Sequence, residues 1–202
     1  MNRRVRHAAS MVPLWIAAAL CGCATNSTPA RFHTLVPAAG NAPSSTQPAL
    51  AQRVEVLPVT LPAQVDVPQL VVRLPDDSMR ALEHERWIAP LADEIRAALV
   101  LRIDAALRET SAPAPASAPY RVTLEVQRFD STLGGAAGLL AVWSLQPPGG
   151  ANALRCQVND SQTVTNGPAA LVAGHRALLQ RLGDAIGRAL RAAAAGGTPA
   201  CA

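Results

Sequence analysis

Two runs of apolar residues, spaced mostly four apart, set the terms for any fold this chain adopts. One is Leu91, Ile95, Leu99, Ile103 and Leu107; the other is Leu171, His175, Leu178, Leu182, Ile186 and Leu190. Such spacing gathers each set on one stripe of an α-helix, and a long apolar stripe has to be covered. The first helix is expected to start at Pro90, where a missing N–H does no harm. Asp93 and Glu94 then fall in its first turn and Arg108 in its last, in keeping with the helix dipole. The second starts near Asn166 and Pro168. The rest of the patterned chain reads as strand. Tyr120 to Phe129 is the clearest case, with Tyr120, Val122, Leu124 and Val126 alternating against Arg121, Thr123, Glu125 and Gln127. Leu139–Leu145 and Leu154–Val158 follow, the latter extending toward Val164. Upstream lie Arg31–Val36, Arg53–Leu61, Gln69–Leu74 and the weaker Ser78–His84; Pro58 and Pro62 make Arg53–Leu61 an edge or bent strand. The expectation is an α+β domain: a mostly antiparallel sheet of about six strands with two long helices packed on one face.

The N-terminus reads as an export leader. Arg3, Arg4 and Arg6 form a basic head, Met11–Leu20 an apolar core, and Cys21-Gly22-Cys23 the cut. About ten apolar residues span roughly 15 Å as a helix, half of what a bilayer core of roughly 30 Å requires, so this is not a transmembrane span. A cysteine directly after the cut resembles the lipobox of bacterial lipoproteins, in which that cysteine is acylated. Several acyl chains, at about 0.8 kcal/mol per buried CH₂, would hold Cys23 at a membrane permanently. Ala24 follows; in the lipoproteins this resembles, an aspartate there retains the protein at the inner membrane, so Ala24 points to the outer one. The expected organisation is a cleaved leader at 1–22, a lipidated tether at 23–30, one domain at 31–195 and a tail at 196–202. Residues 37–51 and 111–119 are rich in Pro, Ala and Ser and read as connections.

The leader accounts for most of the basic character. Of the 18 arginines three lie in it, leaving fifteen against 14 Asp plus Glu, a net charge of +1. A nearly neutral domain is a poor fit to nucleic acid. With Cys21 in the leader and Cys23 acylated, Cys156 and Cys201 remain for a single intrachain bridge in an oxidising compartment. The loop it would close is worth about 4 kcal/mol on the chain-entropy account. The alternative is a buried Cys156 and a free Cys201 in a frayed tail.

Catalytic motifs do not emerge. Glu83-His84-Glu85 lacks a second histidine at ligand spacing and reads as a solvated charged segment. His33 is isolated, and His175 reads as a hydrogen-bonded core or rim histidine. Gly183 and Gly187 suggest close packing against the sheet. An enzyme, a metal site and a cofactor other than the covalent lipid are therefore not expected. The distinctive residues are Leu57-Pro58-Val59-Thr60-Leu61-Pro62, then Asp66 to Arg73, then Glu85-Arg86-Trp87-Ile88-Ala89-Pro90-Leu91. The prolines stiffen the approach to two strands, and Trp87 places a large ring just before the first helix.

At these positions the chain resembles the PqiC-type auxiliary lipoproteins, the ABC-type transport auxiliary lipoprotein component family. The matching residues are Pro58, Leu61 and Pro62; Asp66, Pro68, Gln69 and Arg73; and Arg86, Trp87, Pro90 and Leu91. Tyr120-Arg121-Val122, Val126-Gln127-Arg128-Phe129 and Trp143 fit the second half, and the likeness covers nearly all of 31–192. Gln64-Val65 and the Cys201 tail depart from the pattern. The resemblance implies an outer-membrane lipoprotein, alone or as a homo-oligomer, that accompanies an MCE-domain lipid transport system. It would dock or anchor the periplasmic MCE protein and support membrane integrity. Pro58, Leu61, Pro62, Asp66, Pro68, Gln69, Arg73, Arg86 and Trp87 are the candidate partner-binding residues. Direct lipid carriage and a generic outer-membrane assembly role are the alternatives.

Overall fold

Alternation along the central strand is realised residue by residue. In the computed structural model, which describes residues 28–38, 54–108, 118–150 and 152–201, Val122, Leu124 and Val126 are buried while Arg121, Thr123, Glu125 and Gln127 face solvent. That strand, β5 (Tyr120–Ser131), follows β1 (Arg31–His33), β2 (Val54–Val56), β3 (Gln69–Arg73), β4 (Met79–Trp87) and α1 (Leu91–Arg108). After it come β6 (Ala136–Gln146), β7 (Leu154–Thr163) and α2 (Pro168–Ala194). Cys23 and the leader lie outside the described residues.

The strands form two mixed sheets instead of one mostly antiparallel sheet of about six. One has the order β1-β4-β3, the other β2-β5-β6-β7. The two parallel pairs, β1 with β4 and β2 with β5, are what the expectation lacked. Proline is one reason. After Val56 the chain cannot continue a regular ladder through Pro58. It stays beside β5 through single hydrogen bonds, Leu57 N–H to Val122 O and Thr60 N–H to Leu124 O, and a parallel bridge of Thr60 with Glu125. Similarly, the expected strand Arg31–Val36 stops at His33, because the Thr34 hydroxyl turns back to accept from Val36 N–H.

Within the first sheet the register jumps. Gln69 faces Arg86, but its neighbour Leu70 faces Leu82, so Glu83–Glu85 bulge out of β4. The bulge directs Glu85 and Trp87 inward. Asp77, in a left-handed conformation (φ 64°), closes the β3–β4 turn.

The helices begin close to where the prolines predict. The Pro90 carbonyl accepts from Asp93 and Glu94, placing it just ahead of α1, while Pro168 opens α2 behind Gly167, whose φ of 114° suits a residue without Cβ. α2 lies across β6 and β7, and α1 packs beside α2 and reaches β2. Gly183 and Gly187 do pack closely, but against α1 and not the sheet. A Cβ on Gly187 would sit 2.8 Å from Ala106 Cβ, and one on Gly183 would sit 2.9 Å from Arg102 Cβ. The i, i+4 glycine pair is thus the groove that lets the two helices approach. Gly174 plays the corresponding role toward the sheet, facing Ala137 and Val164.

Cys156 and Cys201 are bridged, with Cα atoms 5.5 Å apart, so the bridged alternative holds. The bond fastens the tail to β7 across all of α2. Replacing Cys201 with Ser is expected to lower the unfolding free energy by about 4 kcal/mol. Guanidinium titration checks this: reductant should shift the wild-type midpoint and leave that of the variant in place. Gly187→Leu is expected to destabilise by about 1–3 kcal/mol through overpacking against Ala106, read from the same titration.

Candidate functional site

The proline-rich stretch folds into a rigid wall. Pro62 O accepts from Val65 N–H, and Val65 plugs the core at 4% exposure. The chain then passes Asp66 and Val67 to Pro68, whose carbonyl accepts from Trp87 N–H at 2.8 Å. That bond joins the approach to β3 with the end of β4. Between them opens a trough of about 390 Å³, with Asp66, Val67 and Pro68 on one side and Trp87 to Leu91 on the other. Ile88 stands exposed on its rim.

Trp87 itself points inward. It meets Phe129 edge-to-face at a centroid distance of 6.4 Å, and Phe129 stacks flat on His175 at 3.8 Å. Three rings from β4, β5 and α2 therefore form one column. Trp87 supports the trough from beneath and presents little of itself to a partner.

The trough unites Asp66, Pro68 and Trp87 with Pro90 and Leu91. Pro58, Leu61 and Pro62 do not line it; they belong to the segment running along β5. Gln69 and Arg86 are register partners, half-buried, on the neighbouring stretch of sheet. Arg73 is remote, at the far end of β3, where it binds Asp130 at 3.1 Å and braces β3 to β5. The feature least evident in sequence is Ile88. Inward-facing Trp87 directly before it is the signal that would place it outward.

Buried polar groups hold the N-terminal segment. Glu85, which the sequence places in a solvated run, is only 8% exposed; it binds His33 at 2.6 Å and Arg31 at 3.5 Å. The bulge is the reason: Glu83 and His84 stay in solvent while Glu85 turns in. His33 is accordingly not isolated. Glu94, 5% exposed, accepts from Thr34 Oγ1 and Leu35 N–H, both at 2.7 Å. Arg176 donates to the Thr34 carbonyl.

His175 is a core histidine. Its Nε2 lies 2.8 Å from Ser131 Oγ, and its Nδ1 has no partner among the described residues. Full burial pushes its pKa down to about 3, so the ring is neutral. Among the described residues no three His, Cys, Asp or Glu side chains gather as metal ligands. None of the described helices is long and apolar enough to cross a membrane. A second hollow of about 400 Å³ lies between α2 and β7 beside the disulfide, but two of its charges, Arg181 and Asp160, are already paired at 2.7 Å.

This α+β arrangement is shared with known structures. An uncharacterized protein superposes with a TM-score of 0.64 at 16% identity, covering 81% of this chain and 99% of its own. A protein from Xanthomonas campestris, assigned to a domain family of unknown function, superposes with a TM-score of 0.60 at 17% identity, covering 82% and 98%. Comparison with curated proteins gives no match. The two structures define the fold class. The family follows from sequence: the model of the ABC-type transport auxiliary lipoprotein component matches residues 33–187, and the chain belongs to that family. Membership makes it an auxiliary component of ABC-type transport and implies a membrane-anchored place in the envelope.

The buried neutral histidine sets a pH dependence. Below pH 6.5 the unfolded chain takes up a proton at His175 that the folded chain refuses until about pH 3. Stability attributable to this group is complete above 6.5 and falls by about 1.4 kcal/mol per pH unit between those values. In urea titrations at pH 6.5 and 4.5, His175→Phe is expected to lose less stability on acidification than the wild type.

Proposed function

We propose that this chain is the outer-membrane lipoprotein of an MCE-type intermembrane lipid transport system, acylated at Cys23. It docks the periplasmic MCE protein where the conduit meets the membrane. Family membership supports an auxiliary transport role, and the leader with Cys23 followed by Ala24 supports the outer-membrane address. The observation that carries the docking reading is the trough walled by Asp66 and Pro68. Its backbone is already fixed by Val65, by Pro68 and by the Trp87 column, so binding orders little that is free. Asp66, exposed on that wall, suits a partner segment that brings a basic side chain beside an apolar one. Pro58, Leu61 and Pro62 extend the same stiff strip, and Gln69 and Arg86 adjoin it. Arg73 acts at a distance, by holding β3 in place.

The domain works here as a fixed surface on a leash. A photo-crosslinking residue at position 66 or 68 in cells is expected to capture an MCE-domain protein. Asp66→Arg should reduce co-purification at least tenfold with an unchanged unfolding midpoint. Crosslinks that contain no MCE protein would sink the docking reading.

A further inference from the structure

One end of the three-stranded sheet carries an apolar pair that the described residues leave uncovered. In β1, Arg31 and His33 share a face with their register partners Glu85 and Trp87, and that face turns inward. Strand alternation sends Phe32 the other way, together with its partner Arg86. Ile88 follows on the same outer side, held against β1 by its N–H to the His33 carbonyl at 2.9 Å. Phe32 is 59% exposed and Ile88 60%, the two most exposed large apolar side chains among the described residues. Arg31, on the opposite face, is turned toward Glu85 at 3.5 Å.

Single apolar residues on a surface need no explanation. A neighbouring pair at the point where the chain leaves its anchor is a different matter. Phe32 lies nine residues beyond Cys23, a separation of at most about 30 Å. The clasp of Glu85, Glu94 and Arg176 on residues 31–35 fixes the patch rigidly to the domain. We propose that Phe32 and Ile88 rest on the phospholipid surface that holds the anchor, with Arg86, which shares their face, toward its phosphates. The proposal rests on acylation of Cys23. A short tether gives an effective concentration on the order of millimolar, so a contact too weak to recruit a free protein is populated once the chain is anchored. An aromatic ring and a branched aliphatic chain beside a guanidinium group fit the boundary between headgroups and acyl chains. The contact would turn the domain so that the rim of the trough, which Ile88 shares, lies at the bilayer.

The test uses the mature acylated chain in vesicles of phosphatidylethanolamine and phosphatidylglycerol with brominated acyl chains. Phe32→Trp and Ile88→Trp are compared with Leu101→Trp, a control at another exposed apolar position, on α1. After subtraction of wild-type emission, tryptophan at 32 and at 88 is expected to shift to the blue and to be quenched at least twofold, while tryptophan at 101 is not. Emission at 32 that matches 101 would overturn the proposal. So would a blue shift without bromine quenching, which would mean that protein covers the patch. A second preparation, residues 24–202 with an N-terminal hexahistidine on nickel-chelating lipid, supplies the tether without acylation. The mass of the N-terminal peptide from cells then reports on Cys23, and the quenching reports on the patch, so the two readings fail separately.

Discussion

Phe129 is the ring on which the two sheets and the second helix agree. One of its flanks meets Trp87 from the three-stranded sheet, and one face lies flat on His175 from α2. Buried aromatic contacts of this kind contribute beyond the area they remove from water. The column sits under the trough, so the shape of an outer surface depends on a contact deep inside. It also explains a histidine in the middle of a helix stripe. A neutral imidazole stacks like an arene and still satisfies one nitrogen with Ser131, which leucine at that position would leave unpaired.

A second theme is where charge has been taken indoors. Glu85 and Glu94 are the two buried carboxylates among the described residues, and both serve the few residues that follow the tether. Each has the donors that a carboxylate taken out of water requires. Pulling on the N-terminal segment would have to strip these donors from their acceptors. Both buried carboxylates thus lie where the chain enters the domain.

Much of this architecture could be read from local pattern. Leu91 to Leu107 and Leu171 to Leu190 announce their helices, and alternation from Tyr120 to Val126 announces which side of β5 is wet. What stayed hidden is pairing between distant segments. Periodicity states which face of a strand is buried but not who its neighbour is, so the parallel partnerships of β1 with β4 and β2 with β5 were out of reach. The burial of Glu85 is hidden for a related reason: the bulge that turns it inward depends on how β3 and β4 pair. Gly183 and Gly187 were recognised as a contact, yet only the fold says that α1 is the other half. Asp66, Pro68 and Trp87 are legible as positions of the family pattern, and the Trp87–Pro68 hydrogen bond is what brings those separate pieces together. Arg73 shared the motif but serves a brace elsewhere.

The disulfide imposes an order of events. Cys201 follows Cys156 with all of α2 between them. A chain threaded across a membrane from its N-terminus delivers Cys156 first, and the sulfur waits until the last long helix has arrived. Until then nothing covalent opposes unravelling, and the polypeptide remains suited to passage through a narrow channel. Once Cys201 emerges, the lock closes behind it. A chain exported in this way would acquire its covalent stitch only on the far side, when translocation no longer requires it to come apart.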